Sequence, residues 1–169
     1  MKSFKGASLA RPLHLAERLY FPSIMNLHWF IFAVDLKCRN FLFLDSIYGK
    51  NDSFQIIASE LLIKNFKIIW HETGQKIINF NKFEKLYPNV PKQKGGNNCG
   101  IHSMKMMELY CPRNPTAYAY SDEDVPYFRI RYAIDNLFSK HNTEDSVKKL
   151  VTNFDLKSYK EKRQAITIE

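Results

Sequence analysis

The sequence is poor in cysteine and glycine, and it lacks long uncharged apolar stretches. Its 169 residues include 3 Cys and 6 Gly. A small, odd number of cysteines without paired spacing argues against a disulfide-rich secreted scaffold and favours a reducing, intracellular compartment. No run of about 18 or more uncharged apolar residues occurs, so the sequence predicts no membrane-spanning helix.

Apolar and aromatic residues, by contrast, are abundant. Hydrophobic residues make up 45% of the chain and aromatic residues 14%. This composition excludes a disordered protein and is sufficient for a sizeable core. We expect one globular domain over residues 1–155, followed by a frayed basic tail over residues 156–169.

The charge is positive and unevenly distributed. The formal net charge is +8, and residues 1–99 carry +7 of it. A basic surface suits an acidic partner, either a protein or a nucleic acid. The lysines are dispersed, however, and no dense basic run with interleaved aromatics precedes the tail sequence KSYKEKRQ. A nucleic-acid-associated protein is therefore an alternative supported by net charge alone.

Two apolar runs separated by a polar turn predict a β-hairpin. The runs are HWFIFAVDL at 28–36 and FLFLDSI at 41–47, and the polar segment is DLKCRN at 35–40. Nearly continuous apolar runs are typical of strands buried on both faces. A shorter strand, RLYFP at 18–22, is predicted to end at Pro22.

Three segments have the spacing of amphipathic helices. The first, of about 15 residues, follows the N-cap cluster NDS at 51–53. The second follows the N-cap candidates Asn97 and Asn98, and the third begins at a capping-box-like pair, Ser121 and Asp124. The predicted apolar stripes are Ile57, Ala58, Leu61 and Leu62 in the first helix, Ile101, Met104 and Met107 in the second, and Ile130, Ala133, Ile134, Leu137 and Phe138 in the third.

Cys99 lies at the predicted start of the second helix, after a glycine-asparagine loop. Free cysteine is among the most buried residue types, so burial is one explanation for its position. Chemistry is the other, because a helix N-terminus presents unpaired N–H groups and a positive dipole end, which stabilise the reactive thiolate. Gly95 and Gly96 would let the backbone approach a substrate closely.

A nucleophilic cysteine needs a base, an acceptor that orients the base, and donors for the oxyanion. His28 opens the predicted hairpin and Asp45 closes it, so the two residues fall at the same end of the sheet, where Asp45 could hold the imidazole in one tautomer. The backbone N–H of Cys99 and the side-chain amide of Gln93 are the candidate oxyanion donors. Taken singly, His28 could equally be a strand-edge histidine without a role, and Asp45 a cap of the DSIYG turn.

Together these residues resemble the ubiquitin-like-protein-specific cysteine proteases, the Ulp/sentrin-specific peptidase family that processes SUMO. The matching motifs are HW at 28–29, LDSIYG at 44–49 and QKGGNNCG at 93–100, in the chain order His, Asp, Cys. The spacing of 17 from His28 to Asp45 and of 6 from Gln93 to Cys99 agrees with the family pattern. The resemblance covers residues 17 to about 140, including SDEDVPYFRIRYAIDNLF, which is similar to the family's C-terminal helix.

The resemblance implies an α+β fold of the papain-like/adenain-like cysteine protease kind, with a mixed sheet and the catalytic cysteine at the N-terminus of a buried helix. It implies that Cys99 is the nucleophile, His28 the general base, Asp45 its orienter and Gln93 an oxyanion donor. Trp29 would line a narrow tunnel that admits the Gly-Gly tail of a modifier, because only glycines fit a slot between flat aromatic walls.

The function implied by this resemblance is hydrolysis of the bond after Gly-Gly of SUMO or a related ubiquitin-like modifier, in processing or deconjugation, in the nucleus or cytoplasm. We expect a monomer that acts on the modifier and its conjugates, with no metal or cofactor, no specific nucleic acid and no membrane. The alternative is a catalytically weak or inert protease-derived module that binds a ubiquitin-like protein.

The chain departs from the family pattern in two places. The residue before the cysteine is usually Asp in the family and is Asn98 here; Asn can still cap a helix, so we expect modest harm. Family catalytic domains also carry a longer segment before the histidine, which supplies modifier-binding surface and the second aromatic wall. We therefore expect very low activity and a solvent-open groove beside Trp29 and Cys99.

Overall fold

The computed structural model describes residues 12–111 and 119–154, so the tail expected at 156–169 lies outside the described residues. The chain divides into two compact units, Met1–Val125 and Pro126–Glu169. The described elements of the first unit are β1 (Arg18–Met25), β2 (His28–Asp35), β3 (Asn40–Leu44), α1 (Ser53–Glu72), β4 (Glu84–Leu86) and α2 (Cys99–Leu109). Short 3₁₀ turns lie at Leu13–Leu15, Phe80–Lys82 and Asp122–Asp124.

The four strands form one mixed sheet in the order β1-β2-β3-β4. Strands β1, β2 and β3 pair antiparallel, whereas β3 and β4 pair parallel. The sequence correctly predicted the β2–β3 hairpin, whose register pairs Ile31 with Leu44 and Asp35 with Asn40. An α+β fold with a mixed sheet is thereby confirmed.

Side chains from β2 and β3 alternate between two cores because successive residues of a strand point to opposite faces. On one face Phe30, Phe32, Val34, Phe41 and Phe43 pack with Ala58, Phe66 and Trp70 of α1. On the other face Ile31, Ala33, Leu42 and Leu44 pack with Val90 and with Met106 of α2. The sheet therefore lies between α1 and α2, and both faces of the hairpin are buried as predicted.

The prediction that β1 ends at Pro22 is wrong, because the strand continues to Met25. Pro22 pairs in register with Ile31. Since β1 is an edge strand, the missing N–H of a proline can face away from the ladder without the loss of a hydrogen bond between strands.

Helix α1 is longer than predicted, with 20 residues, and it buries a different stripe. Ala58 is buried and Leu62 packs against the core as predicted, but Ile57 is 60% exposed and Leu61 is 48% exposed. The buried positions are Gln55, Ala58, Ser59, Phe66 and Trp70. Polar Gln55 and Ser59 thus occupy positions that a hydrophobic pattern assigns to apolar residues.

Helix α2 begins at Cys99, as predicted, with Asn98 at the N-cap position. The Asn98 side chain makes no capping hydrogen bond, and its amide instead donates to Asp122. Ile101 is buried as predicted, but Met106 takes the place expected for Met104 and Met107, which are half-buried. The helix also buries His102 and Ser103, so its inner face is more polar than its sequence pattern indicates.

The second unit contains most of α3 (Val125–Leu137) and all of α4 (Asp145–Thr152). The capping box of Ser121 and Asp124 is present before α3, as predicted. The predicted stripe of α3 is largely exposed at Ile130, Ile134 and Phe138, and α4 was not predicted. Within the described ranges, no helix has the length and apolar character that crossing a membrane requires.

Candidate active site

A two-residue turn connects β1 to His28, the first residue of β2. Asn26 and Leu27 both have positive φ angles, 50° and 61°, and the flanking residues Met25 and His28 face each other across the ladder. Two-residue hairpin loops with both residues at positive φ match the right-handed twist of the strands they join. Asn adopts this conformation readily, whereas Leu27 is strained in it and is 92% exposed.

His28 and Asp45 meet at one end of the hairpin. His28 Nε2 lies 2.8 Å from Asp45 Oδ1, and both side chains are buried. A carboxylate accepts only, so His28 donates through Nε2, which fixes its tautomer. The other ring nitrogen, Nδ1, is then the acceptor available for proton exchange.

The Asp45 carboxylate accepts hydrogen bonds at both oxygens. The backbone N–H groups of Ile47 and Tyr48 donate to Oδ1 at 2.7 and 3.0 Å. The side-chain amide of Gln55, fully buried at the start of α1, donates to Oδ2 at 2.5 Å. Asp45 therefore caps the DSIYG turn and also holds the histidine, so the structural and the orienting explanations of this residue are compatible.

Aromatic rings surround the imidazole of His28. Phe30 stacks on it with ring centroids 6.1 Å apart, and Tyr48 and Phe54 contact it edge to face at 5.3 and 5.6 Å. Tyr48 and Phe54 also stack on each other at 4.3 Å. These contacts restrict rotation of the imidazole and exclude water from the His28–Asp45 pair, which strengthens their electrostatic interaction.

Lys92 supports the same turn from the neighbouring loop. Its ammonium donates to the backbone oxygen of Asp45 at 2.8 Å and to that of Tyr48 at 3.3 Å. Burial lowers the pKa of Lys92, although the carboxylates of Asp45 and Asp52 oppose this shift.

Two hydrogen bonds with Ser46 hold Gln93 beside the turn that follows Asp45. The backbone N–H of Gln93 donates to the Ser46 carbonyl at 3.0 Å, and the Ser46 hydroxyl donates to Gln93 Oε1 at 2.8 Å. Gln93 Nε2 donates one N–H to the Gly95 carbonyl at 2.5 Å. An amide nitrogen carries two hydrogens, so Gln93 Nε2 can donate a second hydrogen bond.

Cys99 is the first residue of α2 and is 8% exposed. The first N–H groups of a helix have no partner within it, so the Cys99 N–H can donate to an oxyanion. A Cβ built on Gly100 would lie 3.9 Å from Cδ1 of Trp29. The helix that begins at Cys99 therefore lies against the strand residue that follows His28, and Trp29 itself is 40% exposed.

The structure places the five residues singled out in the sequence in two hydrogen-bonded pairs and one packed neighbourhood. Hydrogen bonds connect His28 to Asp45, and the adjacent Ser46 to Gln93. Trp29 lies beside Gly100, the residue that follows Cys99. Gln55, Ser46 and Lys92 were not predicted to take part. Gln55 could have been recognised as a candidate, because it is a polar residue about one helical turn before Ala58 and Ser59 in a segment otherwise rich in Ile and Leu.

Known proteins provide an independent comparison. Residues 8–142 match the sequence profile of the Ulp1 protease family, C-terminal catalytic domain. The chain belongs to this family. Two similar relatives from Arabidopsis thaliana are Ubiquitin-like-specific protease 1A, 23% identical over 118 residues, and Putative ubiquitin-like-specific protease 1B, 26% identical over 117 residues. These alignments cover 69% and 68% of this chain but only 22% and 33% of the relatives.

Solved structures of the Ulp1 family share the fold. The C-terminal Ulp1 protease domain in complex with Smt3, the yeast ortholog of SUMO, is similar with a TM-score of 0.56 and 20% identity, over 73% of this chain and 53% of that one. SUMO protease Ulp1 with its catalytic cysteine oxidized to a sulfenic acid is similar with a TM-score of 0.58 and 21% identity, over 78% and 57%. The chain spans little more than half of these domains.

Proposed function

We propose that this Ulp1-family domain is a cysteine peptidase that hydrolyses the bond after Gly-Gly of SUMO or a related ubiquitin-like modifier, inside the nucleus or cytoplasm. The observation that carries the proposal is the buried His28–Asp45 hydrogen bond of 2.8 Å, on a strand whose next residue lies against the start of the Cys99 helix. The modifier class is supported by a similar domain whose structure contains Smt3, the yeast ortholog of SUMO.

The first half of the proposed reaction forms a thioester. His28 Nδ1 accepts the proton of the Cys99 thiol, and the thiolate attacks the carbonyl carbon of the second glycine. The Cys99 N–H and the free N–H of Gln93 donate to the oxyanion that develops on that carbonyl. When the intermediate collapses, His28 returns the proton to the departing amine, and the C–N bond breaks.

The second half releases the modifier. Water replaces the departed amine, His28 Nδ1 takes one of its protons, and the resulting hydroxide attacks the thioester carbonyl. The C–S bond breaks, the modifier leaves with a free C-terminal carboxylate, and the proton on His28 returns to the sulfur. Asp45 favours each imidazolium state by its negative charge, without itself taking the proton.

Two physical features support these roles. The helix N-terminus at Cys99 favours a negative sulfur, and Asp45, which accepts from four donors, favours a positive imidazole at a fixed orientation. Together they stabilise the thiolate–imidazolium pair that attacks the substrate. A domain that only binds a ubiquitin-like protein would need neither a fixed tautomer of His28 nor the second N–H of the Gln93 amide.

A cleavage assay tests the proposal. The substrates are a SUMO precursor with a C-terminal extension and a ubiquitin precursor of matched length. We expect cleavage of the SUMO precursor after Gly-Gly, its loss in Cys99→Ser, and its retention in the matched control Cys38→Ser, since Cys38 is an exposed residue in the β2–β3 turn. SUMO binding without any cleavage would contradict the proposed peptidase activity and favour a domain that only binds the modifier.

A further inference from the structure

A second polar cluster, not used by the reaction above, surrounds Asp122. Asp122 Oδ1 accepts from the Asn98 side-chain amide at 2.8 Å and from Nε2 of the fully buried His102 at 2.9 Å. Asp122 Oδ2 accepts from the backbone N–H of Lys94 at 3.1 Å. One carboxylate therefore contacts both Lys94 and Asn98, which are the two ends of the loop between Gln93 and Cys99.

The two glycines of the loop, Gly95 and Gly96, have open space where a side chain would lie. A Cβ placed on Gly95 or Gly96 would meet no atom within 4 Å, so neither glycine is pressed against a neighbour. The ion pair between Lys94 and Glu123 is solvent-exposed on both sides, and exposed pairs contribute about 0–1 kcal/mol. Of the two hydrogen bonds from the loop to Asp122, the one from the Asn98 amide is partly buried and the one from the Lys94 N–H is exposed.

The orientation of the cluster follows from its donors and acceptors. His102 Nε2 faces a carboxylate and must donate, so Nδ1 accepts from the Tyr120 hydroxyl, 3.2 Å away. Burial raises the pKa of Tyr120, which keeps its hydroxyl a donor. Burial alone would raise the pKa of Asp122, but the hydrogen bonds from His102, Asn98 and Lys94 outweigh it and lower that pKa.

We propose that Asp122 is a positioning residue that holds Cys99 and Gln93 at their working separation by clamping both ends of the glycine loop. The nucleophile and the oxyanion donor must meet the same carbonyl group, so a loop that drifts by about 1 Å can cost on the order of 100-fold in rate. The clamp acts through the loop and does not touch the substrate. Its effect on turnover rests on the proposed function, whereas its effect on the Cys99 environment does not.

The clamp also explains the departure from the family pattern at Asn98. An aspartate at that position would place a second carboxylate within hydrogen-bond distance of Asp122, and two carboxylates sharing one site cannot both ionise favourably. Asn98 supplies a donor where the family's usual Asp would supply only an acceptor. Restoring the family residue at this position should therefore damage the site instead of improving it.

The test compares Asn98→Asp, Asp122→Ala and the swap Asn98→Asp/Asp122→Asn, with Glu123→Ala as the matched control. Glu123 is the adjacent carboxylate and contacts the loop only through its exposed pair with Lys94. In the swap, the amide introduced at position 122 can donate both to the carboxylate introduced at position 98 and to His102 Nε2, since His102 can take its other tautomer and donate to Tyr120. The swap thus restores the pairing with the two side chains exchanged.

Two readouts are measured on each variant of the whole chain, with thermal unfolding as a check of the fold. The first is the rate of Cys99 alkylation by limiting iodoacetamide, divided by that of the exposed Cys111 in the same chain. The second is kcat and KM on a SUMO–fluorophore substrate. We expect Asn98→Asp and Asp122→Ala to lower kcat about 10- to 100-fold with little change in KM, because the loop geometry acts in the transition state.

The outcomes separate the clamp from the proposed function. Recovery in the swap to within about threefold of wild type, with Glu123→Ala unaffected, supports the clamp, since an independent pair would show no such coupling. Normal alkylation and turnover in Asn98→Asp, or a swap no better than the single variants, overturns it. The wild type could cleave no modifier while its Cys99-to-Cys111 alkylation ratio still changes in the two single variants and recovers in the swap. In that case the clamp stands and the proposed function fails.

Discussion

Replacing Asp45 by asparagine should remove the charge beside His28 while keeping its hydrogen bonds. Asp45 Oδ1 accepts from His28, Ile47 and Tyr48, so the asparagine oxygen will take that side and leave its NH₂ facing Gln55. Gln55 Oε1 is buried and has no hydrogen-bond partner among the described residues. A flip of the Gln55 amide therefore gives the new NH₂ an acceptor, and the tautomer of His28 is preserved.

The size of the effect on catalysis follows from the charge separation. The Nε2–Oδ1 distance of 2.8 Å places the charge centres about 4 Å apart, where a unit pair interacts by about 4 kcal/mol at an effective dielectric of about 20. If the imidazolium loses this stabilisation, the rate falls by up to about 10³-fold. We expect kcat/KM of Asp45→Asn to drop by about 10²- to 10³-fold.

The effect on stability should be much smaller, and Asp45→Ala provides the contrast. Asp45→Asn loses only the charge-assisted share of its hydrogen bonds, about 1–2 kcal/mol. Asp45→Ala leaves the buried donors of His28 and Gln55 without an acceptor, at about 1–3 kcal/mol each. Urea unfolding and cleavage kinetics of both variants measure the two effects. Equal stability of the two variants, or unchanged cleavage by Asp45→Asn, would refute this account of the carboxylate.

Three further predictions concern single positions. Gln93→Ala should lower kcat about 10²- to 10³-fold with the fold intact, although the buried Ser46 hydroxyl loses its acceptor. An active variant with normal kcat would reassign the oxyanion donor. Limiting iodoacetamide near neutral pH should label Cys99 faster than Cys38 or Cys111, because only Cys99 of these three lies at a helix N-terminus. This order is expected although Cys99 is buried and the other two cysteines are exposed. Faster labelling of Cys38 or Cys111, measured by peptide mapping, would contradict the mechanism. Leu27→Gly should stabilise the fold by about 1 kcal/mol in thermal unfolding, because glycine adopts the positive φ of 61° without strain. A destabilised variant would show that contacts of the Leu27 side chain contribute more free energy than the backbone strain costs.

The hairpin and the position of Cys99 were predictable because local sequence determines them. Nearly continuous apolar runs at β2 and β3 can only be accommodated by burial on both faces, and the glycine-asparagine loop followed by an apolar helix pattern indicates a helix start. His28 and Asp45 meet because a hairpin brings its two ends together.

The details that depend on distant partners were not predictable. Gln55 and Ser59 occupy buried positions of α1 because Gln55 donates to Asp45, so the apolar Ile57 and Leu61 lie outside. His102 is buried in α2 because Asp122 and Tyr120 accept and donate to its ring. These partners lie 10 to 20 residues away in the chain, beyond the reach of periodicity arguments.

The edge position of β1 was likewise invisible in the sequence. A proline inside a strand is tolerated only where its missing N–H faces away from the ladder. The order of the sheet determines which strand lies at the edge, and the sequence around Pro22 does not reveal that order.

The decisive step of the proposed reaction is the attack of Cys99, activated by His28, on the carbonyl at the end of a SUMO-like modifier. The most direct measurement is incubation of the chain with SUMO that carries a C-terminal thiol-reactive electrophile, followed by peptide mapping of the adduct. We predict a single SUMO adduct on Cys99, lost in Cys99→Ser, strongly slowed in His28→Ala, and absent with a free electrophile of the same warhead at equal concentration. No adduct, or an adduct on Cys38 or Cys111 that survives in Cys99→Ser, would contradict the claim.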